Sequence, residues 1–208
     1  MPVSSPSTAT VVEELKQWKF SSPAKPPHLL PKSSFEGPAD RNYTLKNSKV
    51  RKFLQNEKQS FGINLGWTED AEPATATKVA RWFFARNGAG DGPLRHGETV
   101  AIGNGKQPSF IRNEKRSVGI NLGWSDTPVF EWKLAGGPAG TTIDPNAYLA
   151  IYNENASEFL IFFDRTAGGD IGWPSSETWG EQLKGKLLEE AKKAALQALL
   201  AAVAASPK

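Results

Sequence analysis

Cysteine is absent from all 208 residues, and histidine occurs only at His28 and His96. No disulfide framework, thiolate metal site or thiol nucleophile is therefore available, and two imidazoles are too few for a histidine metal cluster. A charge imbalance is missing too. The 25 Lys and Arg face 22 Asp and Glu, leaving +3, without the large one-sided excess that marks a nucleic-acid binder. The longest nearly apolar run, from Ala194 to Ala205, is broken by Gln197 and falls short of the about 18 residues that span a bilayer. The opening MPVSSPSTAT has no basic stretch leading into an apolar one. The expected location is thus cytoplasmic, with non-classical secretion or processing as the alternative. No phosphate loop, HExxH motif or Ser-His-Asp ordering occurs, so neither an enzyme nor a bound cofactor is expected.

What is present is repetition. FLQNEKQSFGINLGW, starting at Phe53, recurs as FIRNEKRSVGINLGW at Phe110 and, more worn, as FLIFFDRTAGGDIGW at Phe159. In each copy the tryptophan follows the phenylalanine by fourteen positions, at Trp67, Trp124 and Trp173. Upstream, YTLKN, VAIGN and LAIYN end at Asn47, Asn104 and Asn153, each with an aliphatic residue (Leu45, Ile102, Ile151) eight positions before the phenylalanine. Downstream, a second tryptophan follows at Trp82, Trp132 and Trp179. Apolar residues make up 38%, and 19 Gly and 15 Pro punctuate short alternating stretches, so each copy reads as four strands joined by tight turns. Units that cannot each bury their own apolar face must assemble around a shared core.

That pattern resembles the β-trefoil families, especially the lectin and agglutinin-type trefoils, over roughly residues 40–180. The resemblance implies an all-β trefoil of three internal repeats, about 41–97, 98–146 and 147–179. The Gln-x-Trp signature of ricin-type trefoils is absent, so the resemblance carries no sugar specificity.

Residues 1–40 hold a Pro/Ser-rich arm. Within it, a capping box at Thr10 and Glu13 and a stripe of Val11, Leu15 and Trp18 predict a short helix that docks through Trp18. Residues 180–208 predict a second, amphipathic helix, capped by Thr178 and Glu181 and rich in Ala and Leu. Its apolar stripe needs a cover, and three are open: the protein's own surface, a partner chain, or a membrane interface. The run FLIFF, apolar on both faces, offers the first, with Leu160 and Phe162 expected to face outward.

Candidate binding residues come from the polar positions that two repeats share. Asn56, Glu57, Lys58, Asn64 and Trp67 reappear as Asn113, Glu114, Lys115, Asn121 and Trp124, whereas the third copy has Phe162, Phe163, Asp164 and Asp170 at the polar ones. Amide, carboxylate and ammonium supply donors and acceptors for sugar hydroxyls, and an indole can stack on a sugar face. The same residues also make good turns, and the tryptophans equally suit a core. A basic-patch reading from Arg51, Lys52, Lys58, Arg112, Lys115 and Arg116 is countered by interleaved Glu57, Glu69, Asp70 and Glu114. The expected partner is a glycan or glycoconjugate rather than a nucleic acid, with a membrane surface or self-association through the last helix as a further possibility. A membrane-active or oligomerising toxin and a protein-interaction scaffold are the rival functions.

Overall fold

A computed structural model describes residues 8–21, 28–29, 43–59, 62–68, 81–87, 92–105, 109–116, 120–145, 147–163, 170–173 and 186–201. The chain is mostly β. In order run α1 (Thr8–Leu15), β1 (Trp18–Ser21), β2 (His28–Leu29), β3 (Thr44–Asn47), β4 (Leu54–Gln55), β5 (Gly66–Trp67), β6 (Trp82–Arg86), β7 (Gly92–Pro93), β8 (Thr99–Asn104), β9 (Ser109–Asn113), β10 (Leu122–Ser125), β11 (Trp132–Ala135), β12 (Ala150–Asn153), β13 (Glu158–Phe162), β14 (Ile171–Gly172) and α2 (Lys186–Leu199).

Six strands join in a circuit. The antiparallel pairs β1–β3, β6–β8, β8–β11 and β11–β12 are linked by bridges between Tyr43 and Trp82 and between Leu149 and Trp18, which bring β12 back to β1. Three hairpins hang from it: β4–β5, β9–β10 and β13–β14. Register repeats with them. Trp18 lies opposite Asn47, Trp82 opposite Asn104 and Trp132 opposite Asn153.

These matches identify the partner of the tryptophan frame. Trp18 takes in the first set of strands the place that Trp82 and Trp132 take in the others, and stacks on Trp67 as Trp82 stacks on Trp124 and Trp132 on Trp173, at centroid distances of 6.0, 6.5 and 6.2 Å. Trp179 lies outside the described residues. Each first-strand indole also donates to a carbonyl of another set: Trp18 to Leu160, Trp82 to Leu54 and Trp132 to Ile111. A buried indole N–H needs such an acceptor, and supplying it across sets ties each to its neighbour.

Alternation along the strands separates an inner from an outer face. Trp18, Phe20, Leu45, Leu54, Phe84, Ile102, Ile111, Leu134, Ile151 and Leu160 fill the shared core. The outer faces are covered in three ways. In the first set the Lys46 ammonium lies 5.3 Å from the Phe53 ring centroid. In the second, Phe83 lies over Gly103, where a Cβ would come within 2.3 Å of its ring, and meets Phe110 edge-on. In the third, α1 and α2 cover Ala135, Ala150, Phe159 and Ile161 with Val11, Leu15, Ala195 and Leu199.

The helices thus pack on the third set, but over the face opposite to the one the sequence suggests. Leu160 is in the core, and Phe162 meets Trp67 edge-on at 5.7 Å. Within α2, Lys192 Nζ donates to Glu158 Oε1 at 2.8 Å, with both side chains buried. Past its end, the Leu200 carbonyl accepts the Ala139 N–H, which gives a terminal helix carbonyl a partner. Two expectations about the ends change. Thr10 is inside α1 rather than at its N-cap, and Trp18 belongs to a strand. The second capping box, at Thr178 and Glu181, lies outside the described residues.

Candidate functional site: two matched polar hairpins

Each group of sequence-derived candidates falls on one hairpin. In the first, Leu54 is opposite Trp67 and Gln55 opposite Gly66, and the Glu57 N–H donates to the Asn64 carbonyl at 3.3 Å. In the second, Ile111 is opposite Trp124 and Arg112 opposite Gly123, with Glu114 bonded to Asn121 at 3.2 Å. Asn56, Glu57, Lys58, Asn64 and Trp67 are therefore neighbours, as are Asn113, Glu114, Lys115, Asn121 and Trp124. Between the two groups no contact is needed, because each belongs to its own hairpin.

Their surroundings differ residue by residue. Lys58 and Lys115 are exposed, as are Glu57 and Asn121, while Glu114, Asn64 and Asn113 are half-buried and Asn56 is buried. Asn64 and Asn121 hold their own loops: Asn64 Oδ1 accepts the Gln59 N–H at 3.1 Å and Asn121 Oδ1 the Arg116 N–H at 3.0 Å. Such side-chain-to-backbone bonds are the usual use of Asn in a turn. Trp67 and Trp124 pack against the shared core, and their indole N–H groups are buried with no acceptor among the described residues.

A clasp on the glutamate is common to both hairpins. Gln55 Nε2 donates to Glu57 Oε2 at 3.0 Å; in the second hairpin Arg112 Nε and Nη2 both reach Glu114 Oε2, at 3.0 and 2.7 Å, and Arg116 Nη2 stands 3.6 Å from Oε1. The clasped carboxylate lies over the glycine of the opposite strand. A Cβ on Gly66 would sit 2.3 Å from Glu57 Oε2, and one on Gly123 would sit 2.2 Å from Glu114 Oε2. The glycine before each hairpin tryptophan thus makes room for a carboxylate. The flanking Gln55, Gln59, Arg112 and Arg116 complete two five-residue arrays, Gln-Asn-Glu-Lys-Gln and Arg-Asn-Glu-Lys-Arg. Gln55 and Gln59 were open to sequence reasoning through their two-residue spacing on either side of the glutamate.

Buried polar groups fix where the hairpins stand. Glu131 Oε1 accepts the Asn113 N–H and the Asn153 side-chain amide, the latter at 2.9 Å. Gln17, which also precedes a first-strand tryptophan, accepts the Phe162 N–H at 2.8 Å and the Asn47 amide at 3.3 Å. Asn47 Oδ1 in turn accepts the Lys49 N–H at 2.9 Å and Asn153 Oδ1 the Ala156 N–H at 2.8 Å, capping the turns that lead to β4 and β13. The third hairpin keeps the same backbone bond, Phe163 N–H to the Asp170 carbonyl at 3.1 Å, but presents Phe162 and Phe163 where the others carry Asn and Glu.

Among the described residues no group of three or more His, Asp or Glu is placed to hold a metal ion. Among them also, no helix is long and apolar enough to cross a membrane. No family model, curated protein or solved structure matches the chain.

Proposed function

We propose that the chain is a lectin-like, carbohydrate-binding β-trefoil without enzymatic activity, and that it carries up to two similar sites, on the hairpins β4–β5 and β9–β10. The trefoil reading is supported by the six-strand circuit, its three hairpins and the threefold recurrence of the stacked tryptophans. The observation that carries the binding reading is the Asn-Glu-Lys and Asn kept on two hairpins, with Lys58 and Lys115 exposed on both, where the third has Phe162, Phe163, Asp164 and Asp170. Packing does not require an exposed Lys58 to reappear as Lys115. A sugar hydroxyl both donates and accepts, so a carboxylate held rigidly beside an ammonium suits it. Two such sites on one chain would add avidity for a multivalent glycoconjugate.

A glycan array tests this, using labelled protein beside the Lys58→Ala, Lys115→Ala variant. These lysines are better probes than Asn64 and Asn121, whose side chains hold the loops. Selective binding to one sugar family, weakened in the folded variant, is expected. Undiminished binding in the variant would remove the site from these hairpins, and a blank array would favour a trefoil that engages protein. A membrane-active or oligomerising role for α2 would require the helix to leave Phe159 and Ile161, against which Ala195 and Leu199 are buried.

A further inference from the structure

The two hairpins match in backbone and in their central Asn-Glu-Lys, yet differ in what clasps the glutamate. Gln55 holds Glu57 in the first, where Arg112 and Arg116 hold Glu114 in the second, and Gln59 stands at the position of Arg116. Over residues 55–59, Glu57 and Lys58 balance. Over residues 112–116, one carboxylate stands among three cations, which leaves two positive charges in excess. Arg112 and Arg116 keep 43% and 29% of their side-chain surface exposed, so binding Glu114 does not hide them. A guanidinium presents five donors, more than one carboxylate uses, and its remaining N–H groups suit a second anion.

We propose that the second hairpin selects an acidic saccharide, bearing a carboxylate or a sulfate ester, while the first takes the neutral parent sugar. This inference rests on the carbohydrate reading above and adds a ligand class to one of its two sites. The anion would be held by Arg112, Lys115 and Arg116 together, and Glu114 would keep the guanidinium groups aligned and repel an anion that approached over Gly123. Charge-assisted bonds of this kind are about twice as strong as neutral ones, so a preference of about fivefold to tenfold for the acidic sugar is expected at low salt. Partly exposed charges are screened, and the preference should shrink as salt is added.

A reciprocal exchange tests it in the full-length protein. Affinities are measured for neutral monosaccharides beside their uronic acid and 6-sulfate derivatives. Arg112→Gln with Arg116→Gln gives the second hairpin the clasp that the first already uses, which keeps Glu114 held over Gly123. This variant is expected to lose the acidic preference while neutral binding persists. Gln55→Arg with Gln59→Arg is expected to add a second acid-selective site. The uronate and sulfate arms tell which anion is favoured, and selection of either supports the assignment. Equal affinity for neutral and acidic sugars, or a preference that survives the arginine exchange, would overturn this inference and leave the carbohydrate reading standing. No binding of any saccharide would overturn both.

Discussion

The indole N–H of Trp18 donates to the carbonyl of Leu160 at 2.6 Å, joining residues 142 positions apart. A strand near the start of the chain is thereby tied to the third hairpin, and the adjacent Trp18–Leu149 bridge completes the circuit. Trp18→Phe keeps a ring to stack on Trp67 but leaves a buried carbonyl without its donor, at a cost of about 1–3 kcal/mol. Trp67→Phe removes an N–H that has no acceptor among the described residues and should cost less. Urea denaturation of the two variants compares them; an equal loss would mean that the bond to Leu160 contributes nothing of its own.

Two glycines face different neighbours. Gly103→Ala pushes a methyl group into the Phe83 ring, which is buried and cannot retreat, and overpacking of this kind costs about 1–3 kcal/mol. Gly123→Ala meets the Glu114 side chain, which can give way only by loosening its hold on Arg112 and Arg116, so its cost should largely vanish in a Glu114→Ala background. Denaturant midpoints of the two singles and the double give the coupling directly.

Lys192 and Glu158 form a pair buried beneath α2, and Glu158 Oε2 has no partner of its own among the described residues. Lys192→Met alone strands a buried carboxylate and is expected to destabilise the protein by about 3 kcal/mol. Lys192→Met combined with Glu158→Leu should recover most of that, since two apolar side chains avoid the desolvation cost of two charges. Thermal unfolding and proteolysis of the α2 segment measure both effects; a double variant as weak as the single would show that the pair is needed for more than charge balance.

His96 is held below its ordinary pKa, chiefly by burial, with the Lys16 charge acting the same way and a backbone hydrogen bond at Leu134 opposing them. The unfolded chain therefore binds this proton more readily than the folded one. Stability from the neutral imidazole is complete above about pH 6.5 and is lost as pH falls below it. His96→Gln should flatten the stability profile over that interval. The lower-pH fall that remains would include Glu154. Its burial alone would raise the carboxyl, but hydrogen bonds from Lys133 and Thr99 and the Lys133 charge hold it below the usual range.

The hairpins and their core tryptophans were legible because a fourteen-position frame survives in three copies. The first strand was not. Trp18 resembles Trp82 and Trp132 only as Trp-Lys-Phe resembles Trp-Phe-Phe and Trp-Lys-Leu, and its pairing with Leu149 links residues too far apart for any local pattern to reveal. A helical stripe through Val11 and Leu15 accommodates Trp18 equally well, and only the tertiary contacts end the helix at Leu15. The inversion of FLIFF has a similar cause: with both alternating faces apolar, the sequence cannot say which is inward, and the bond from Trp18 to Leu160 decides it. At the candidate site, the shared Asn, Glu and Lys could be read directly. What they do could not, since the clasp depends on a glycine of the opposite strand and on side chains two residues to either side.

The number of sugar molecules bound per chain tests the central proposal most directly. With a saccharide chosen from the array and titrated until the weaker hairpin is also saturated, isothermal titration calorimetry should give two equivalents for the native protein and one for Lys58→Ala or Lys115→Ala alone. Three equivalents, or two that persist in both variants, would contradict the assignment of binding to the first and second hairpins.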